Sequence, residues 1–224
     1  MEEKEGPPEL QWKHISCALK DPLHHSTNST VLEGTYLNEL VAIKLLHTDE
    51  KSEGQVFRLE HNNIVCYLGV LRNPAAVVSK LAANGRAKDH LPQSNLIQRL
   101  RMIKEVAQGL AFLHENRIVH NDVSLRNVVL ADECQLCDFE HARKLDPESQ
   151  GYIVRDRDRR LPKCSLAPEV FQHTSAQFSY KSDIWAFGIM MWEFVCGKET
   201  VDSYPEILKD LLQVHPAVCE IIHR

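Results

Sequence analysis

The segment His120-Asn121-Asp122-Val123-Ser124-Leu125-Arg126-Asn127, followed by Asp138-Phe139-Glu140, places two carboxylates and an amide at the spacing of phosphoryl-transfer chemistry. Hard oxygen donors of this kind suit metal ions and bound phosphates together. Upstream, Val41-Ala42-Ile43-Lys44 reads as a buried strand that ends in an ammonium. Taken singly, each residue has a plainer role. Lys44 could be a solvated strand end, His120 and Phe139 a packing pair, and Asp122 and Asn127 loop-capping groups.

The elements that must position these groups divide the chain in two. Residues 31–36, 40–46, 64–70 and 75–79 are short β-favouring runs punctuated by Gly, Asn and Pro, with one short helical piece expected over 52–60. After Asn84-Gly85 the period becomes helical: Leu96, Leu100, Ile103, Ala107, Leu110 and Leu113 form one apolar face of a helix that ends before His120. Residues 184–194 are apolar on nearly every side, which predicts a helix buried within a lobe. A small β-rich half followed by a larger helical half is the α+β arrangement expected.

Bulk properties narrow the classes. With 224 residues, 43% hydrophobic and 25% charged, the chain can bury a core, so disorder throughout is excluded. A net charge of -5 without a basic stripe leaves no electrostatic footprint for nucleic acid, and Arg155, Arg157, Arg159 and Arg160 read as a solvated loop. Seven scattered cysteines with no apolar N-terminal signal fit a reduced, cytoplasmic setting better than a disulfide framework. Cys134 and Cys137 form a lone Cys-x-x-Cys in a strand-like stretch, without the second pair that zinc needs. No apolar run reaches membrane-spanning length.

Four separated motifs line up in the order of protein kinases, and the chain resembles that family over roughly residues 15 to 205. The resemblance implies that Lys44 holds ATP phosphates, that Asp122 accepts the proton of a substrate hydroxyl, and that Asn127 and Asp138 ligate magnesium. It places Val31, Ala42 and Val129 around the adenine, Ser79 as gatekeeper, and Lys80, Leu81 and Ala82 as the hinge. Ala167-Pro168-Glu169 closes the activation segment, and residues 181–188 resemble the buried anchor helix of the large lobe. Leu125-Arg126-Asn127, residues 152–155 and Trp192-Glu193-Phe194 look most like tyrosine kinases of the receptor type. The expected organisation is a mobile leader over 1–11 and a kinase domain over 12–224, with a small lobe at about 12–81 and a large lobe at about 84–224.

The pattern also fails at several points. Where three glycines are usual the chain reads His24-His25-Ser26-Thr27-Asn28-Ser29, so Cβ atoms crowd a loop whose amides should reach phosphate; hydroxyls of Ser26, Thr27 and Ser29 could donate instead. Glu140 replaces a Gly, and its carboxylate could either ligate a metal or repel the γ-phosphate. Asn121 replaces the Arg that pairs with a phosphate on the activation segment, whose lone tyrosine is Tyr152. Only eight residues separate Lys44 from Glu53, the expected partner glutamate, with Glu50 as a second candidate. The last helices of the large lobe are expected to be missing, leaving Glu169 a buried carboxylate without its usual Arg. These departures predict a weak or inactive kinase, a pseudokinase that acts in signalling by binding ATP and a protein substrate or partner kinase. An active ATP-dependent protein tyrosine kinase is the alternative.

Overall fold

A computed structural model describes residues 8–17, 22–26, 28–47, 59–149, 151–154, 166–171 and 176–197. Glu50, Glu53, most of the expected helical piece over 52–60 and the basic cluster at 155–160 lie outside these residues.

The first half is an antiparallel sheet of β1 (Ile15–Cys17), β2 (His24–His25), β3 (Ser29–Tyr36), β4 (Glu39–Leu46), β5 (Tyr67–Leu71) and β6 (Ala76–Lys80), in the order β1-β3-β4-β6-β5 with β2 also on β3. Period-two alternation decides which face each side chain takes. Leu32, Val41, Ile43 and Val78 are buried in one core, while the register sets Val31 opposite Lys44 and Ala42 opposite Ser79 on the other face. Ile64 lies outside β5 and bridges to Leu136 instead. Residues 8–11, expected within the leader, lie against the sheet: Glu9 bridges to Val70, and the Leu10 amide donates to the Val70 carbonyl at 2.8 Å.

The second half carries α1 (Ala87–His90), α2 (Leu96–Glu115), β7 (Ile118–Val119), β8 (Val128–Leu130), β9 (Cys134–Leu136), β10 (Arg143–Lys144), β11 (Gly151–Val154), α3 (Pro168–Phe171), β12 (Ala176–Ser179) and α4 (Tyr180–Cys196). The short strands pair as β7 with β10, β8 with β9 and β11 with β12. Asn95 starts α2 through a reciprocal box with Gln98, and Ser179 starts α4 through one with Ser182. Gly109 lets α2 approach the Asn63 carbonyl, which a Cβ would meet at 2.5 Å.

The buried face of α2 is Ile103, Val106, Leu110 and Leu113, packed in a second core with Ile118, Leu136, Met190 and Phe194. Leu96 and Leu100, expected on that face, are 54% and 49% exposed. The first turns of α2 extend beyond the described core, so the periodicity was right but the length of the buried stripe was not. Likewise α4 is mostly buried, yet Ile184 near its start is 55% exposed. The architecture is a small β-rich lobe above a larger helical one, as the α+β expectation had it. No helix among the described residues is long and apolar enough to cross a membrane.

Candidate active site

Between the lobes lies a cleft of about 710 Å³, the size of a small-molecule site. All six positions expected around a nucleotide, Val31, Ala42, Lys44, Lys80, Ala82 and Val129, line it, as do Asn127, Asp138 and Glu140. Leu23, Arg86 and Lys88 also line it and were missed; only a strand pairing at 24–25 and a turn after Gly85 bring them there. At the hinge the Lys80 and Leu81 amides donate to the carbonyls of Cys66 and Leu40, at 2.9 and 3.3 Å. The Ala82 amide bonds no described backbone group.

The floor of the cleft is tied down from far along the chain. Asp183, 1% exposed near the start of α4, accepts from the amides of His120 and Asn121 at 2.8 Å each, and its carboxylate lies 2.9 Å from His114 Nε2. This anchor was not singled out individually in the sequence, where Asp183 follows Lys181-Ser182 at the head of the apolar run. The His120 ring donates from Nε2 to the Cys137 carbonyl at 3.1 Å and lies 5.0 Å from the Phe139 ring. Asp122 does not line the cleft. Its two oxygens are held by Arg126 at 2.5 Å and by Asn127 Nδ2 at 2.8 Å. Asn127 Nδ2 also donates to the Asp122 carbonyl at 2.8 Å, so the Asn127 amide oxygen is the group left for a ligand.

Asp138 adopts a left-handed backbone at φ 63, and its amide donates to the Tyr67 hydroxyl at 3.0 Å. Its carboxylate meets Lys44 Nζ at 2.6 Å, and Glu140 meets the same ammonium at 3.2 Å. Burial opposes charge on Asp138, but the Lys44 ammonium and its hydrogen bond outweigh burial and hold the carboxyl below its usual range. Lys44 shifts the other way: burial disfavours its charge, yet Asp138 and then Glu140 raise its pKa. Next to Asp138, burial first and the Asp138 charge second push the Cys137 thiol up to about 12.

The roof differs. Ser26, Asn28 and Ser29 line the cleft, but the two serines are bonded to each other. The Ser26 amide donates to the Ser29 carbonyl at 2.9 Å, the Ser29 amide to Ser26 Oγ at 3.1 Å, and Ser26 Oγ to the Ser29 carbonyl at 3.1 Å. Their hydroxyls are 3.2 Å apart. The Ser26 and Ser29 hydroxyls, expected as stand-ins for glycine-loop amides, are bonded within the turn. Thr27 lies outside the described residues.

Magnesium chemistry fits the donors present. Asp138 offers a carboxylate and Asn127 an amide oxygen, and a cation that also binds phosphates needs no protein cage. Among the described residues no group of three or more His, Cys, Asp or Glu side chains forms such a cage. On the activation segment, Asn121 Nδ2 donates to the Tyr152 hydroxyl and to the His141 carbonyl, the latter at 2.7 Å. Glu169 is half-buried rather than buried.

An antiparallel sheet closing over a helical lobe, with a lysine from the sheet meeting an aspartate from below, defines a protein kinase domain. The sequence profile of the protein tyrosine and serine/threonine kinase family matches residues 17–214, and the chain belongs to that family as a tyrosine-kinase-like domain. It is 32% identical over 76% of its length to the tyrosine-protein kinase sid-3 of Caenorhabditis elegans, covering 15% of that protein. It is 30% identical over 78% of its length to the cytoplasmic tyrosine-protein kinase BMX of Mus musculus, covering 29% of it. Over 68% of its length it is 34% identical to the inactive tyrosine-protein kinase kin-32 of C. elegans, covering 19% of it. The chain thus spans well under half of these relatives.

Proposed function

We propose that this domain binds ATP with magnesium in the cleft but transfers its γ-phosphoryl group weakly or not at all, and acts in cytoplasmic signalling by binding a protein substrate or a partner kinase. The observation that carries this reading is the mutual bonding of Ser26 and Ser29, which engages these two roof residues with each other. The lower half of the cleft supports retained binding. Lys44 would hold phosphates, Asn127 and Asp138 would hold the metal, and Val31, Ala42 and Val129 would enclose the base, with the Ala82 amide free of described backbone partners. Magnesium, when bound, supplies positive charge to the phosphates. Asp122 would accept the hydroxyl proton only in competition with Arg126 and Asn127 for its oxygens. An inactive relative at 34% identity shares this level of similarity.

Active transfer is the second reading, favoured because Lys44, Asp122, Asn127 and Asp138 all stand at the cleft or directly beneath it. Phosphoryl transfer is mostly positioning and electrostatics, and these groups supply both. Thermal shift decides on binding: ATP with magnesium is expected to raise the melting temperature, and Lys44→Ala or Asp138→Asn to remove the rise. No shift at millimolar ATP sinks both readings. Transfer to a tyrosine peptide that Asp122→Asn abolishes would instead establish the active kinase.

A further inference from the structure

Glu140 has a role beyond crowding the magnesium loop. Lys44 reaches down from β4 and is shared by two carboxylates, Asp138 at 2.6 Å and Glu140 at 3.2 Å. The charge of Asp122 is matched separately by Arg126 at 2.5 Å. At this point of the cleft one ammonium is shared by two carboxylates, while Lys80, Arg86, Lys88 and Arg126 line other parts of it. The ammonium that should attract phosphate is also already engaged twice. A metal-free nucleotide reaching Lys44 must therefore break ion pairs and approach both carboxylates. A divalent cation removes both obstacles, because it supplies positive charge and competes for Asp138 while Glu140 remains to hold Lys44.

We propose that Glu140 makes nucleotide binding conditional on a divalent cation, acting as the second counter-charge that lets Lys44 release Asp138. Glu140 is here a positioning residue, and the inference rests on the reading of the cleft as a nucleotide site. Both carboxylates are about one-third exposed, 33% for Asp138 and 30% for Glu140, so solvent screening limits the effect to roughly tenfold rather than more.

The test is calorimetric titration of ATP into the wild-type domain, Glu140→Gln and Glu140→Gly, each with excess magnesium and again in chelator. Magnesium should tighten binding to the wild type by a factor roughly tenfold larger than in either variant, mainly because the variants bind metal-free ATP better. Adenosine, which has no phosphates, should bind all three proteins alike in both buffers, whereas a structural change in the cleft would move adenosine too. An equal or larger magnesium factor in the variants overturns the inference while leaving the nucleotide site standing. Absence of ATP and adenosine binding in every protein and buffer overturns both.

Discussion

In the hairpin above the cleft, Ser26 and Ser29 satisfy each other across three positions of sequence, whereas the loops below add to their local pairs anchors more than sixty positions away. Asp183 holds the amides of His120 and Asn121, and Lys44 crosses from the other lobe to Asp138. The difference concerns cost. A local network can be rewritten by exchanging two residues with little effect elsewhere. The lower network is part of what holds the large lobe together, and Asp122 and Asn127 brace each other within it. Below the cleft, side chains suited to chemistry thus also serve the architecture.

The largest expected effect comes from breaking the lower side. Asp183→Ala leaves two buried amides without acceptors and removes the partner of His114, so denaturant unfolding should show a loss of about 3–5 kcal/mol. A loss under about 1 kcal/mol would mean the catalytic loop does not depend on this anchor. A smaller effect comes from rebuilding the upper side. Ser26→Gly combined with Ser29→Gly frees the turn for close approach by phosphate, and magnesium-ATP affinity should improve by about fivefold, roughly 1 kcal/mol. Unchanged affinity would show that the serine pair is not what separates roof from floor.

The smallest effect separates the two sides by pH. Asp138 is held below its usual range, so its contribution to stability is complete above the ordinary carboxylate pKa and falls away as pH drops through the lowered value. Lys44 is raised, so its contribution is complete below the ordinary lysine pKa and is lost as pH rises through the raised one. The stability difference between wild type and Lys44→Met should be flat from about pH 5 to 9 and shrink outside that window. The serine pair contains no group that titrates there, so the difference between wild type and Ser26→Gly should stay flat throughout. A Lys44→Met difference that varied inside the window would show that the ion pair is not the source.

Much of this was legible in the residues. Val41-Ala42-Ile43-Lys44 was read as a buried strand ending in an ammonium, the family resemblance set Ala42 and Lys44 at the nucleotide, and the motif order brought Lys44, Asn127 and Asp138 to one cavity. Other features depend on geometry that one-dimensional patterns do not carry. The mutual bonding of Ser26 and Ser29 follows from how the turn closes, and the saturation of Asp122 follows from Arg126 folding back one helical step. The exposure of Leu96 and Leu100 reflects where the core ends along α2, which periodicity does not encode.

Asn121 carries a consequence for the activation segment. Its backbone sits at φ 66, a conformation that asparagine accepts and most other side chains adopt at a cost of about 1–2 kcal/mol. Its amide is committed to Tyr152 and His141. Replacing Asn121 with arginine would forfeit both bonds, so the activation segment would lose this tie to the catalytic loop.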